Sequence, residues 1–225
     1  MHQEQAAGGI DVTCLDGGFA PPADTGEPLG PEAEVFHRLR CFRGKVKGAL
    51  AVSVVRSFED RHPALADRVA AELSPAYRRM LDDGLLGSSW YPECLFCSVL
   101  RSQRRLRPPA SVAEEVRDAR RVFERMSRSF HSLFFRMAGP RRLLGAVSRL
   151  WRLYHTIGTA RVEEKQAGQA SGVLTDNPAI LEPGYAEGTI GAIWGALVLS
   201  GARDVHVAFS RRSPDTLWME YRWRR

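Results

Sequence analysis

Two cysteines and two histidines are the first candidates for chemistry in this chain. Cys94 and Cys97 have the spacing CxxC. At a helix N-terminus that spacing serves thiol–disulfide exchange, because the helix dipole lowers a thiol pKa, and in paired copies it holds zinc. Here Leu95 and Phe96 fill the gap with bulky apolar groups and no second cysteine pair follows, so the pattern reads as core thiols on one helix. His131 and His155 lie in aromatic settings, Phe130-His131-Ser132 and Tyr154-His155-Thr156, where a haem iron would find an axial ligand. Neither has a paired ligand or attachment motif, and a lone histidine is ordinarily a surface or satisfied core residue. Asp82-Asp83 falls at a helix end, and Glu163-Glu164 on a strand whose alternating faces part the two carboxylates. GxxxxGK(S/T), GxGxxG, HExxH and GxSxG do not occur, which removes the usual support for nucleotide-binding, metalloprotease and serine-hydrolase readings. No catalytic and no metal-binding residue is expected; a non-enzymatic role is the preferred reading, with a degenerate enzyme left open.

What remains is an excess of large aromatic residues: Trp90, Tyr91, Phe130, Phe134, Trp151, Tyr154 and Trp194. Most such rings pack a core. A space between helices and a sheet is also where an apolar ligand is held, with a few polar tips fixing its orientation, so these seven are the candidate ligand-binding residues.

The elements that must position them follow from period and punctuation. Residues 1–34 carry Gly8-Gly9, Gly17-Gly18, Pro21-Pro22, Pro28 and Pro31 with few large apolar groups, and read as a disordered tail before a single domain over 35–225. A strand or short helix from Val35 leads into a helix of about 48–60; His62-Pro63 breaks it and Pro63 opens a second helix to Leu73. Ser74 is the expected N-cap of a third, ending at Asp82-Asp83-Gly84. Gly87-Ser88-Ser89 is a turn, with a Ser hydroxyl capping a helix driven by Trp90, Tyr91, Leu95, Phe96, Val99 and Leu100. Ser111 and Glu114 form a capping box for the longest helix, whose stripe Val112, Val116, Ala119, Phe123, Met126, Phe130, Leu133 and Met137 ends at Gly139-Pro140. Leu143 to Tyr154 forms another amphipathic helix. Beyond Gly158 the period becomes two: hairpin arms at Thr159–Gln166 and Ala170–Thr175, a helix from Tyr185 to Leu199, and a second hairpin, Asp204–Phe209 with Leu217–Trp223. Gly184, Gly188, Gly191 and Gly195 share one face of that last helix, so another backbone is expected to approach there. The fold class is α+β, with N-terminal helices followed by an antiparallel ββαββ unit.

The net charge of +6 invites a nucleic-acid reading. Only three of the 32 basic residues are lysines, and the arginines are scattered in pairs, so a binding footprint is not expected. The longest apolar run, Ile190 to Leu199, is about half of what a bilayer needs, and Met1 to Ala7 lacks the features of a signal peptide. A cytoplasmic protein with reduced thiols and no membrane span is the expectation.

Val46-Lys47-Gly48, Gly87-Ser88-Ser89-Trp90-Tyr91-Pro92, Leu150-Trp151-Arg152-Leu153-Tyr154, Gly158-Thr159-Ala160-Arg161-Val162 and Leu199-Ser200-Gly201-Ala202-Arg203-Asp204-Val205 resemble an uncharacterised domain family found mainly in myxobacteria, over roughly residues 42–224. That family is distantly similar to 4-vinyl-reductase-type and haem-nitric-oxide-associated ligand-binding domains, and to transport-particle subunits that hold an acyl chain. Related domains often close with two cysteines around a Gly-Asp-Pro turn; here Phe209 to Trp223 has no cysteine and the turn is Ser213-Pro214-Asp215, so no metal or redox role carries over. The resemblance implies a fold of N-terminal helices with ββαββ at the C-terminus and a small-molecule or lipid pocket; the reading it joins is of a sensory domain whose aromatic pocket holds an apolar molecule, with a homodimer or signalling partner, no cofactor being expected and haem or a lipid-like ligand being the alternatives. It implies no catalytic residue. The competing expectation is an oligomerisation or scaffold module that uses the Val112–Met137 and Gly184–Gly195 faces and has a filled core.

Overall fold

A computed structural model of the chain describes residues 12–14, 44–127, 132–213 and 215–224. The segment 35–43, Phe130, His131 and all of the expected tail except 12–14 lie outside the described residues, as does the side chain of Phe134. Strands are β1 (Val12–Cys14), β2 (Lys45–Lys47), β3 (Trp90–Pro92), β4 (Thr159–Gln166), β5 (Gln169–Thr175), β6 (Arg203–Ser213) and β7 (Thr216–Arg224). Helices are α1 (Gly48–Arg61), α2 (Pro63–Glu72), α3 (Pro75–Asp82), α4 (Glu93–Leu106), α5 (Val112–Ser127), α6 (Ser132–Tyr154) and α7 (Tyr185–Leu199), with a 3-10 turn at Pro178–Leu181. The fold is α+β, helices first and ββαββ last. No described helix is long and apolar enough to cross a membrane.

Local chemistry sets most boundaries. Pro63 occupies the first turn of α2, where its missing N–H costs nothing. Ser74 caps α3 by accepting from the Tyr77 amide at 3.3 Å, and Ser111 accepts from Glu114 N at 3.1 Å. The Glu114 carboxylate reaches back to Ala110 N, one residue earlier than the expected capping box.

One expectation is corrected. Trp90 and Tyr91 do not begin a helix: they form β3, paired antiparallel with β2, and α4 starts at Glu93 with no side-chain cap. The reason is that Gly48 N and Ala49 N donate to Ser89 O (2.9 Å) and Gly87 O (3.0 Å), so the turn is spent on the start of α1. The long amphipathic stripe runs over α5, described to Ser127, and the first part of α6 from Ser132, with residues 128–131 outside the described residues. Gly139-Pro140 ends one helical stretch within α6, as expected, and a second follows it. Helical residues continue on both sides of a sharp break at Gly139 (φ 68°, ψ 162°), a backbone conformation open to glycine.

The five-stranded sheet has the order β1-β6-β7-β5-β4. All its pairings are antiparallel except β1 on β6, which runs parallel and draws three residues from the stretch read as a tail. Strand β7 alternates as period two requires: Leu217, Met219, Tyr221 and Trp223 are buried and the residues between them are not. These side chains meet Ile190, Trp194 and Leu197 of α7 to form the larger core. A smaller core joins Val46, Ala51, Phe96, Cys97 and Tyr185 in the helical half, and Trp151 packs against both.

The glycine face of α7 serves two purposes. A Cβ on Gly191 would meet Val116 O at 2.5 Å and Ala119 Cβ at 2.6 Å, and one on Gly195 would meet Phe123 at 3.0 Å, so α5 lies directly against this part of the helix. The α5 part of one face on which a scaffold reading relied is therefore packed on the Gly191–Gly195 part of the other. Gly188 has nothing within 4 Å. Gly191→Ala is expected to lower stability by about 1–3 kcal/mol through overpacking, whereas Gly188→Ala should be neutral or stabilising by up to about 1 kcal/mol; urea denaturation of the two variants checks the contrast.

Candidate functional site

The open space beside Gly188 is part of a cavity of about 250 Å³ between α1, α4, α5, α6 and α7. Its walls are mainly apolar, with Leu50 and Val54 from α1, Phe96 and Leu100 from α4, Val122 and Phe123 from α5, Leu143 and Val147 from α6, and Ala192 and Ile193 from α7. One side is charged: Arg61, His62, Arg104, Arg107, Glu115 and Asp118 all border the cavity. These residues are half-exposed and come from the C-terminal ends of α1 and α4 and the first half of α5, so they mark the side open to water. Phe135, Leu143 and Leu144 close the space within the fold.

The charges on the open side are paired. Arg61 contacts Asp118, Arg104 meets Glu115 at 2.7 Å and Arg107 meets Glu114 at 2.9 Å. Behind them Arg211 and Glu187 form a buried ion pair at 2.7 Å, in which Glu187 Oε2 has no hydrogen-bond partner among the described residues. Burial first, and then the Glu187 carboxylate, push Glu115 up to about 7 against the pull of Arg104 and Arg211. Burial, reinforced by Arg61 and Arg107, lowers His62.

A second polar group stands at the wall where Trp151, His155 and Tyr185 border the cavity. Tyr185 Oη donates to Glu93 Oε1 at 2.7 Å and accepts from Asn177 Nδ2 at 3.2 Å, while His155 Nδ1 lies 3.0 Å from the same carboxylate oxygen. An Nδ1–H donating to Glu93 suits that geometry and fixes the ring. The indole of Trp151 stacks on His155 at 4.1 Å between centroids, 15° from parallel, and donates Nε1–H to Ile157 O at 2.8 Å. Glu93 is fully buried, and its Oε2 has no partner among the described residues. Burial, with Glu93 alongside, pushes the Tyr185 hydroxyl well above the usual tyrosine range, so it stays a neutral donor.

The structure places the seven candidate aromatics in different surroundings. Trp151 and Tyr154 border the cavity. Trp194 does not: it is buried in the sheet-facing core with Arg120 over its ring at 4.5 Å. Trp90 is exposed beneath Lys47, 4.7 Å from its ring centroid, and Tyr91 Oη accepts from the Leu86 amide at 2.8 Å. Cys94 and Cys97 are buried and form no disulfide. Glu93, Tyr185, Arg104 and Glu115 escape a reading of the sequence. One signal did point to Glu93, the only charge in the run Trp90-Tyr91-Pro92-Glu93-Cys94-Leu95-Phe96-Cys97.

No model of a known protein family matches the chain, and neither does any curated protein. Among solved structures it is similar to the Fe(II) unliganded H-NOX protein from K. algicida (TM-score 0.63, 11% identity, covering 80% of this chain and 97% of that one). It is also similar to an H-NOX protein from S. oneidensis in the Fe(II) ligation state (0.61, 12%, 80% and 96%). A third is an oxygen-binding H-NOX domain related to soluble guanylate cyclases (0.55, 8%, 80% and 95%). At these identities the likeness establishes a shared fold, in line with the resemblance to haem-nitric-oxide-associated domains.

Two outcomes follow from the site's polar groups. Tyr185→Phe leaves Glu93 and Asn177 short of a partner and is expected to cost about 1–3 kcal/mol, read from urea midpoints. For Glu115 the folded-state value of about 7 lies above the ordinary 4.5. The stability that this group contributes is therefore fully present below about pH 4.5 and is lost as pH rises through about 7. Between pH 5 and pH 8 the native chain should lose on the order of 2 kcal/mol more stability than Glu115→Gln, measured by urea denaturation at both pH values.

Proposed function

We propose that this chain is a non-enzymatic, sensory ligand-binding domain whose cavity holds an apolar small molecule and whose occupancy is passed to a partner protein. The observation that carries the reading is the 250 Å³ cavity itself, apolar within and charged along one side. An empty apolar space forfeits van der Waals contacts along its whole lining, and Gly188 and Ala192 keep this one open where larger side chains would fill it. The same cavity weighs against the scaffold reading, which needs a filled core. Trp151 packs on both cores, so a ligand against it bears on the spacing between the helical half and the sheet half. That is a physical route from occupancy to signal.

The H-NOX neighbours make haem the cofactor to test. One feature suits it: His155 borders the cavity, its Nδ1 is tied to Glu93, and none of its described hydrogen bonds uses Nε2, the arrangement in which a carboxylate orients a metal-ligating histidine. The volume does not suit it. A cavity of about 150 Å³ takes one benzene ring, so 250 Å³ takes a molecule of roughly ten heavy atoms, far short of a macrocycle of four pyrroles. The ligand we assign is a molecule of that smaller size.

Native and denaturing mass spectra of protein purified from its own cells, with a visible absorption scan, test the proposal. The expected result is a discrete small mass lost on denaturation, no haem band, and no such mass on Ala192→Phe, whose ring enters the cavity while the circular dichroism spectrum is retained. A haem band would overturn the assignment of size, and a bare chain at 25.1 kDa or a multiple of it would overturn ligand binding.

A further inference from the structure

The charged side of the cavity carries more information than its apolar lining. Among the ion pairs whose two partners both border the cavity, Arg104–Glu115 is less exposed (29% and 16%) than Arg61–Asp118 (32% and 29%). A partly desolvated arginine against an apolar space is the group that recognises a carboxylate, since charge-assisted hydrogen bonds are the strong ones and guanidinium matches a carboxylate's geometry. Its present partner is poorly held. Glu115 is faced by Arg104 from α4, by the Glu187 carboxylate from α7 and, beyond Glu187, by Arg211 from β6. Glu187 in turn keeps an oxygen that Arg211 does not satisfy.

We infer that the ligand is an apolar monocarboxylate of about ten heavy atoms, and that on binding its carboxylate takes Arg104 from Glu115. The inference rests on the cavity reading above and adds the ligand's chemical class and the residue that selects it. The exchange is balanced: the carboxylate of the ligand replaces that of Glu115 on the guanidinium, and Glu115, left beside Glu187 without a cation, takes one proton from solvent. Because Glu115 already titrates near pH 7, that proton comes at little cost under ordinary conditions. Binding of an anion is thereby coupled to proton uptake, and the net charge of the site does not change. Asp118 and Glu114 stay with Arg61 and Arg107 and discourage ligands with a second negative charge.

Octanoate and octan-1-ol differ in the head group alone and match the volume, so calorimetric titration of the full chain with each is the test. Octanoate is expected to bind at least about tenfold more tightly than the alcohol. Titrations in buffers of different ionisation enthalpy should show about half a proton taken up per octanoate at pH 7 and nearly one at pH 8, given a Glu115 value of about 7. Arg104→Gln should abolish the preference while leaving octanol binding in place, which also shows that the variant is folded. Glu115→Gln should bind octanoate without proton uptake. Equal affinity for acid and alcohol, or uptake of no proton by the native chain, overturns the carboxylate exchange and leaves the cavity reading standing. Failure of both probes to bind overturns the cavity reading itself.

Discussion

The fold depends on one buried carboxylate. Glu93 begins α4 and receives Tyr185 from the start of α7 and His155 from the end of α6, with Asn177 of the preceding loop completing the group through Tyr185. Around it the backbone is stitched in the same place: Glu93 N donates to Gly44 O, Thr156 N to Lys45 O, and Val46 bridges His155. These contacts tie the helical half of the chain to the sheet half at a point where neither could bury its polar groups alone. A polar group in such a place is tolerated only when hydrogen-bonded, which makes the junction specific. A shifted α4 or α7 would leave Glu93 without donors.

The cavity follows from that junction. With α4, α6 and α7 pinned at one end, α5 is laid along α7 by the close approach at Gly191 and Gly195. At Gly188 and Ala192 the same helix offers too little side chain to fill the space to α1. The two ends of the cavity differ in kind. At Trp151 and His155 the polar groups bond to one another in the interior, while at Arg104 and Glu115 they meet water and a neighbouring acid. A ligand that is apolar along its length and anionic at one end matches this polarity in a single orientation.

Much of the framework was legible because it rests on local rules. Pro63, Ser74 and Ser111 mark helix starts by what their own backbone or hydroxyl does, and the two hairpins declare themselves by period two. The errors came where a distant segment intervened. Trp90 and Tyr91 look helical until the turn before them is seen to be used by α1. The α7 glycines could be assigned to a close approach, but not divided between a contact and a void. The site was read less well than the fold, because its chemistry is relational. Trp151 and Tyr154 are conspicuous as aromatics, whereas Glu115 is one acid among many until Glu187, from the far side of the chain, stands beside it. Trp194 was conspicuous for the same reason as Trp151, yet the sheet claims it.

The sheet order has a consequence for how this chain behaves in company. A five-stranded sheet has two edges, each a row of unpaired amides and carbonyls that invites a strand from another molecule. On one side the three residues of β1 cover part of β6. On the other, β4 is outermost among the described residues, and its sequence Arg161-Val162-Glu163-Glu164-Lys165 sets charges of both signs around a single apolar residue, while Arg141 of α6 holds Glu164 at 2.8 Å. A strand laid against that edge would have to accommodate charges of both signs at close quarters. The rim of the sheet thus carries its own deterrent to edge-to-edge polymerisation.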